Sequence, residues 1–239
     1  MSLIDQFQAG GFFMYFILLF GLLSLAVIAE RFWSLYVKTK ATPKDFRKKV
    51  LAFISHGDYQ GAEDFVNSFK DKTEVMKVAE VGIKMRKSLA GDEALQARMD
   101  EQLTKELNAI DKRTGFLAMF GNVATLFGLL GTVTGLISSF AGVASASPVE
   151  RANLLSQGIS EALNSTAFGL LAAIPALVAF AIFQNKTETI VNGVTEESSE
   201  LYHDFLFYSD NDEAAMAANT AINTNEKITD IDAQNMTRN

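Results

Sequence analysis

The stretch that decides the fold is the apolar run of residues 116–140, FLAMFGNVATLFGLLGTVTGLISSF. As a helix it extends roughly 37 Å at about 1.5 Å per residue, enough to cross a hydrocarbon core of roughly 30 Å. Small and hydroxyl residues recur in it at steps of three and four. They are Gly121, Thr125, Gly128, Thr132, Gly135 and Ser139. This spacing collects them on one helical face, where another backbone can approach closely.

A second run, residues 158–184, repeats the pattern and begins GISEALNSTAFGLLAAIPA. Its recurring residues are Gly158, Glu161, Ser165, Gly169, Ala172 and Ala176. Pro175 removes one backbone hydrogen bond, and we predict a kink there. The two faces together predict a pair of membrane helices that meet protein or water rather than lipid alone.

A third apolar run lies near the N-terminus, at residues 12–30, so the sequence predicts an all-α membrane protein with three transmembrane helices. Of the 21 Lys and Arg residues, 17 lie in residues 31–115 and none in residues 1–30. Because basic residues favour the cytoplasmic side, we predict that residues 31–115 are cytoplasmic. The N-terminus is then periplasmic and the C-terminus cytoplasmic.

The complete predicted organisation has eight segments along the chain. They are a periplasmic N-terminus at 1–11, transmembrane helix 1 at 12–30, a small cytoplasmic helical domain at 31–115, transmembrane helix 2 at 116–140, a periplasmic loop at 141–157, transmembrane helix 3 at 158–184, a cytoplasmic helix at 185–208 and a mobile polar tail at 209–239. The second and third membrane helices are expected to extend into the cytoplasm.

Capping signals divide the cytoplasmic domain into short helices. We predict helix starts at Thr42-Pro43, at Asp58 and at Thr73. From Asp92 an apolar helical pattern reaches the second membrane span without a strong breaker before Gly115. A single helix can therefore run from the cytoplasm into the membrane.

Composition excludes several classes of site. The chain has no cysteine and two histidines, His56 and His203, both outside the predicted spans. Neither a thiolate nor a His-rich metal centre is expected, and no Gly-rich phosphate loop or nucleophile elbow is present. Basic and acidic residues alternate in the cytoplasmic part, which is typical of a solvated helical surface. We predict no enzyme activity, no cofactor, no metal and no nucleic-acid partner.

Thr132 and Thr166 are the first candidates for an ion pathway. If the second span ends near Phe140 and the third begins near Gly158, each threonine lies eight residues in, roughly 12 Å deep. The two hydroxyls are therefore predicted to lie at the same depth. A threonine in a membrane helix also bonds to its own backbone, and that interpretation stays open.

Ser165 and Glu161 complete the candidate pathway. Ser165 adds a hydroxyl beside Thr166, and Glu161 is an acid one turn inside the predicted outer boundary. Intramembrane acids usually face a cavity or a partner, although an acid near a helix N-terminus is also favoured by the helix dipole. The spans contain no central carboxylate or imidazole, and hydroxyls do not titrate near neutral pH. If ions move, another chain must supply the titrating group.

The two runs that carry small and hydroxyl residues on one helical face are called the striped runs, Asn122–Phe140 and Gly158–Ala176. They resemble the second-span and third-span signatures of the MotA/TolQ/ExbB proton channel family. Three spans rather than four make the chain similar to the ExbB/TolQ branch. The resemblance implies that Thr132 and Thr166 are the pore threonines and that Glu161 is the acid of the third span.

The resemblance also implies the assembly. We expect a homopentamer around an ExbD- or TolR-like single-span partner, in two copies, whose aspartate binds the ion. A TonB- or TolA-like protein is expected as a further partner. The whole assembly is expected to lie in the lipid bilayer of the bacterial inner membrane. Such a motor couples an ion gradient to work on periplasmic or outer-membrane machinery.

Alternatives remain at this stage. Asn164-Ser165 makes the pathway more polar than in many proton-using members, so Na⁺ is an alternative to H⁺ as the transported ion. A non-conducting membrane scaffold, a MotA-like stator subunit and a pump acting alone are the alternative functions.

Overall fold

The structure, a computed structural model, describes residues 7, 10–88 and 90–236, with side chains for all of these except 145 and 209–236. Seven α-helices follow one another in the described chain. They are α1 (Phe13–Trp33), α2 (Phe46–Ile54), α3 (Tyr59–Asn67), α4 (Glu74–Lys87), α5 (Asp92–Asp111), α6 (Thr114–Ser145) and α7 (Pro148–Met236). A π-helical turn, Ser34–Lys38, follows α1.

The prediction of an all-α membrane fold is confirmed. No strand occurs among the described residues, and three helical stretches are long and apolar enough to cross a membrane: Phe13–Lys38, Asp92–Ala144 and Pro148–Tyr208. The periplasmic segment at 1–11 falls largely on residues that are not described. The mobile tail predicted at 209–239 lies outside the residues with described side chains.

Residues 141–157, predicted as a loop, are helical except for a two-residue turn, Ala146-Ser147. Glu150 supplies one half of a capping box: its carboxylate accepts from the Ser147 hydroxyl and from the Ser147 backbone N–H at 2.7 and 3.3 Å. Pro148 occupies the first helical position, where its missing N–H costs nothing. The sequence S-P-V-E at residues 147–150 is typical of a helix start. Because α7 begins here, the connection between α6 and α7 is shorter than the predicted loop.

The continuous helix expected from Asp92 to Phe140 is interrupted. Lys112 and Arg113 separate α5 from α6, and Arg113 has a left-handed backbone with φ 73°. That conformation costs a non-glycine residue roughly 1–2 kcal/mol. The helix start predicted at Thr42-Pro43 is also displaced, because α2 begins at Phe46 after a turn.

The chain forms two compact units, residues 1–39 with 108–190 and residues 40–107 with 191–239. In the first, α1 and α7 run in the same direction and α6 runs opposite to them. Phe16 and Phe20 of α1 stack on Phe127 of α6 at ring-centroid distances of 4.9 and 5.7 Å. This unit contains the candidate site.

The second unit packs bulky side chains and surrounds them with ion pairs. Phe46, Met76, Ile83, Leu95, Leu201 and Phe205 are fully buried. Asp58 and Thr73 cap α3 and α4 as predicted, accepting from Gly61 N at 2.8 Å and from Met76 N at 3.4 Å. Lys72 and Lys84 donate to Glu80, and these hydrogen bonds hold the Glu80 pKa below its ordinary value.

Candidate functional site

The small residues of α6 and α7 bring the two backbones into direct contact. A Cβ atom at Gly169 would lie 2.9 Å from the Ala124 carbonyl oxygen and 3.0 Å from Gly128 Cα. A Cβ at Gly128 would lie 3.0 Å from the Ser165 carbonyl oxygen. Because real Cβ atoms require more space, neither position accommodates a side chain without a shift of the backbone. Glycine is therefore required where the two helices cross.

This contact extends along most of both striped faces. Gly135 lies against Ala162, Gly158 against Ser139, and Gly121 against Leu177. The predicted pore packing face consists of Gly121, Thr125, Gly128, Gly135, Ser139, Gly158, Gly169, Ala172 and Ala176. All of them are buried except Thr125 and Ala172, which are half-buried. Packing within one chain explains their small size, and a role towards a partner helix stays a prediction.

Thr132 and Thr166 meet beside this crossing. Their hydroxyl oxygens are in hydrogen-bond contact with each other, in agreement with the equal depth expected from the sequence. Each hydroxyl also approaches the Gly128 carbonyl oxygen, Thr132 at 3.0 Å and Thr166 at 3.2 Å. We call Thr132, Thr166 and the Gly128 carbonyl the hydroxyl cluster.

The hydroxyl cluster has fewer protons than contacts. Two hydroxyl protons serve three oxygen–oxygen contacts, and the Gly128 carbonyl only accepts. One contact is therefore always without a proton, and either threonine can donate to the other. Chemically, the cluster can offer oxygen lone pairs to a cation or exchange hydrogen bonds with a guest. It cannot release a proton near neutral pH.

The hydroxyl cluster faces away from α1. On α7 the residues that meet α1 or the segment before it include Ser165 and Phe168, and on α6 they include Phe127 and Gly131. Thr166 follows Ser165 and Thr132 follows Gly131, a rotation of roughly 100° in each helix. Both threonines are only half-buried. They lie on the flank of the α6–α7 pair that α1 leaves uncovered.

Ser165 and Glu161 lie on the other side, towards α1. The fully buried Ser165 hydroxyl donates to the Gly10 carbonyl oxygen at 2.7 Å. The Glu161 carboxylate lies against Gly11, whose φ of 76° suits glycine. The four predicted pathway residues therefore occupy two sides of the chain. Only Thr132 and Thr166 are brought together.

Two further predictions concern this unit. α7 continues through Pro175 without interruption, and the kink stays a prediction. No group of three or more His, Cys, Asp or Glu suited to a metal ion occurs among the described residues. The hydroxyl cluster contains no ionisable group of its own.

At the opposite end of α1, just after the predicted span 12–30, lies a buried cation that has no role in the sequence predictions. Arg31 is 2 % exposed, and its guanidinium donates to the Ile110 carbonyl oxygen at 2.7 Å and to the Thr187 hydroxyl at 3.4 Å. Next to it, Glu30 pairs with Arg113 at 2.6 Å. The Glu30-Arg31 pair was visible in the sequence, but its partners are 79 or more residues away.

The sequence model of the MotA/TolQ/ExbB proton channel family matches residues 70–196, more than half of the chain. This chain belongs to the MotA/TolQ/ExbB family. The resemblance seen in the two striped runs is thereby confirmed, since both lie in the matched region. Family membership and the three apolar helices identify an integral membrane protein of the bacterial inner membrane.

Solved structures include a similar fold. A chain of the structure of C. jejuni MotAB aligns with a TM-score of 0.53 at 15 % identity, covering 78 % of this chain and 69 % of that chain. At this identity the similarity shows the fold alone. Comparison with curated proteins finds no match.

Proposed function

We propose that this chain is the ExbB/TolQ-like subunit of an ion-driven motor, forming a channel with an ExbD- or TolR-like single-span partner. The observation that carries the proposal is the hydroxyl cluster, two threonines converging on one carbonyl at the uncovered flank of α6 and α7. The three candidate spans among the described residues, rather than four, support this branch over a MotA-like stator.

The cluster can line an ion path, but the titrating group must come from elsewhere. Hydroxyls and a carbonyl bond to an ion or a protonated acid without binding a proton themselves. We therefore assign ion binding to an aspartate in the span of the partner, held inside a homopentamer of this chain. In this arrangement the N-terminus is periplasmic, and the subunit itself is not an enzyme and needs no cofactor.

The motor would act on periplasmic or outer-membrane machinery, with H⁺ as the first choice of ion and Na⁺ as the alternative. A TonB- or TolA-like protein would then receive the work. Uptake at fixed pH in sodium-free and sodium-containing buffer distinguishes the two ions.

The test co-expresses the chain with its single-span partner and measures ion uptake into vesicles. Thr132→Val and Thr166→Val should each lower uptake by about tenfold or more, the effect of roughly 1.4 kcal/mol in a barrier. Replacing the partner's aspartate by asparagine should abolish uptake. Thr134→Val is the matched control, because Thr134 lies two residues along the same helix and bonds only to carbonyls of its own helix.

Undiminished uptake in the Thr132, Thr166 and partner variants would contradict the channel. The scaffold alternative predicts instead that partner function survives collapse of the ion gradient. Uptake by vesicles containing this chain alone would favour a pump that needs no partner.

A further inference from the structure

The break between α5 and α6 contains a backbone outlier. Arg113, with φ 73°, is the one non-glycine residue with positive φ in the part of the chain that the structure describes. L-residues other than glycine persist in this region only where surrounding contacts hold them there, and such outliers concentrate at switch regions. The contacts around Arg113 therefore indicate what the break is for.

The local sequence does not require a break. Residues 111–114 are Asp, Lys, Arg and Thr, with no proline or glycine among them, and Lys and Arg are good helix formers. The nearest glycine, Gly115, lies inside α6. The helical pattern continues on both sides, in α5 and in α6. A straight, uninterrupted helix is thus an accessible alternative for these residues.

Contacts from the end of α1 hold the broken arrangement. The last carbonyl groups of a helix have no hydrogen-bond donor within the helix. At the end of α5, the Arg31 guanidinium donates to one of these carbonyl oxygens, that of Ile110. Glu30 pairs with Arg113 itself, and both side chains of this pair are about half exposed. Neighbouring residues of α1 therefore contact the end of α5 and the break itself.

We propose that residues 111–114 form a joint with two backbone arrangements. In the broken arrangement, Arg31 donates to Ile110 and Glu30 pairs with Arg113. In the straight arrangement these contacts are released and α5 continues into α6 as one helix. A hinge needs only a few residues to absorb a change in backbone angles, and residues 111–114 are enough for that.

The joint would change the backbone at residues 111–114 without disturbing the hydroxyl cluster. Gly128 and Thr132 of that cluster lie in the uninterrupted part of α6, more than four helical turns from Arg113, and Thr166 lies on α7. The inference concerns backbone conformation alone, so it stands whether or not the chain conducts ions.

The test measures distances between spin labels across the joint. Because the chain has no cysteine, Asn108→Cys with Asn122→Cys places two labels at exposed positions without further changes. On a straight helix these backbone positions are about 21 Å apart. Asn122→Cys with Ser138→Cys, about 24 Å apart within α6, is the control pair.

Glu30→Gln combined with Arg113→Ala should shift the 108–122 distance to that of the straight helix, because the ion pair is lost and alanine favours the right-handed helix. Arg113→Gly should keep the distance of the unsubstituted chain, since glycine adopts positive φ freely. The control pair should not move. An unchanged 108–122 distance in the Glu30→Gln/Arg113→Ala chain, or a shift of the control pair, would overturn the proposal.

A second measurement needs no substitution at the joint. Salt screens a half-exposed ion pair such as Glu30–Arg113. Raising the salt concentration should therefore enlarge a minor population at the straight-helix distance in the chain that carries no substitution except the two label sites. One distance that does not respond to salt would also overturn the proposal.

Discussion

The two compact units differ in the side chains that hold their helices together. In the first, α6 and α7 meet at Gly128 and Gly169, and hydroxyls bond to backbone carbonyls. In the second, bulky side chains such as Phe205 fill the core and ion pairs such as Lys72–Glu80 surround it. Lipid supplies neither hydrogen bonds nor a hydrophobic force between helices, so close backbones and internal bonds replace large side chains where α6 meets α7. The contact of α1 with α6 in the same unit still uses stacked phenylalanine rings.

The largest expected effect tests the second unit. Phe205→Ala removes a side chain that is 1 % exposed and packs over Gly82, so it should lower the free energy of unfolding by about 3–5 kcal/mol. Phe207→Ala, at a 63 % exposed position of the same helix, is the control and should change it by less than about 0.5 kcal/mol. Denaturant unfolding of the full chain in detergent measures both, and equal effects would contradict a core centred on Phe205.

The next effect comes from replacing one glycine by alanine in each unit and comparing the change in stability. Gly169→Ala pushes a methyl group against the backbone of α6 and should destabilise by about 1–3 kcal/mol. Gly193→Ala in the same helix has open space around it and should stabilise by up to about 1 kcal/mol through helix propensity. If both substitutions stabilise the chain in thermal unfolding, the close crossing of α6 and α7 is absent.

A smaller effect concerns internal hydrogen bonds in the first unit. Ser165→Ala leaves the Gly10 carbonyl without its donor and should cost about 1 kcal/mol. Ser160→Ala, at an exposed position of α7, should be close to neutral. Thermal melting in detergent compares the two, and the result also shows whether Ser165 holds the turn before α1.

The smallest effect is a pH dependence of the second unit. The Glu80 pKa is lowered, chiefly by the hydrogen bond from Lys72, so its stabilising contribution is complete above the ordinary value of 4.5 and is lost as the pH falls through the lowered value. Glu80→Gln should therefore reduce stability at pH 7 by less than about 1 kcal/mol and have less effect at strongly acidic pH. A loss that grows on acidification would contradict this assignment.

Local patterns predicted much of this fold. The lengths of the apolar runs identified the three spans. The capping residues Asp58 and Thr73 correctly predicted where α3 and α4 begin. Counting residues along two antiparallel helices placed Thr132 and Thr166 at the same depth, in agreement with the contact between their hydroxyls. The contact between Ser147 and Glu150 is equally local, and the sequence around it would have predicted the short turn between α6 and α7.

The remaining features depend on partners distant in sequence. Ser165 and Thr166 are neighbours with the same kind of side chain, yet one bonds to Gly10 and the other lies beside Thr132 on the uncovered flank. Which flank α1 covers is decided by packing and cannot be read from helical periodicity. The break at Arg113 depends in the same way on Glu30 and Arg31.

The sequence by itself determined three membrane-spanning helices, a family and a pair of hydroxyls at equal depth, because hydrophobic length and helical spacing are local properties. Only the tertiary structure decided that the small residues of α6 and α7 pack the two helices together within one chain and that Glu161 and Ser165 face the turn before α1. The physical reason is that a helix has several faces of similar composition. Only the position of the neighbouring helices assigns each face a partner.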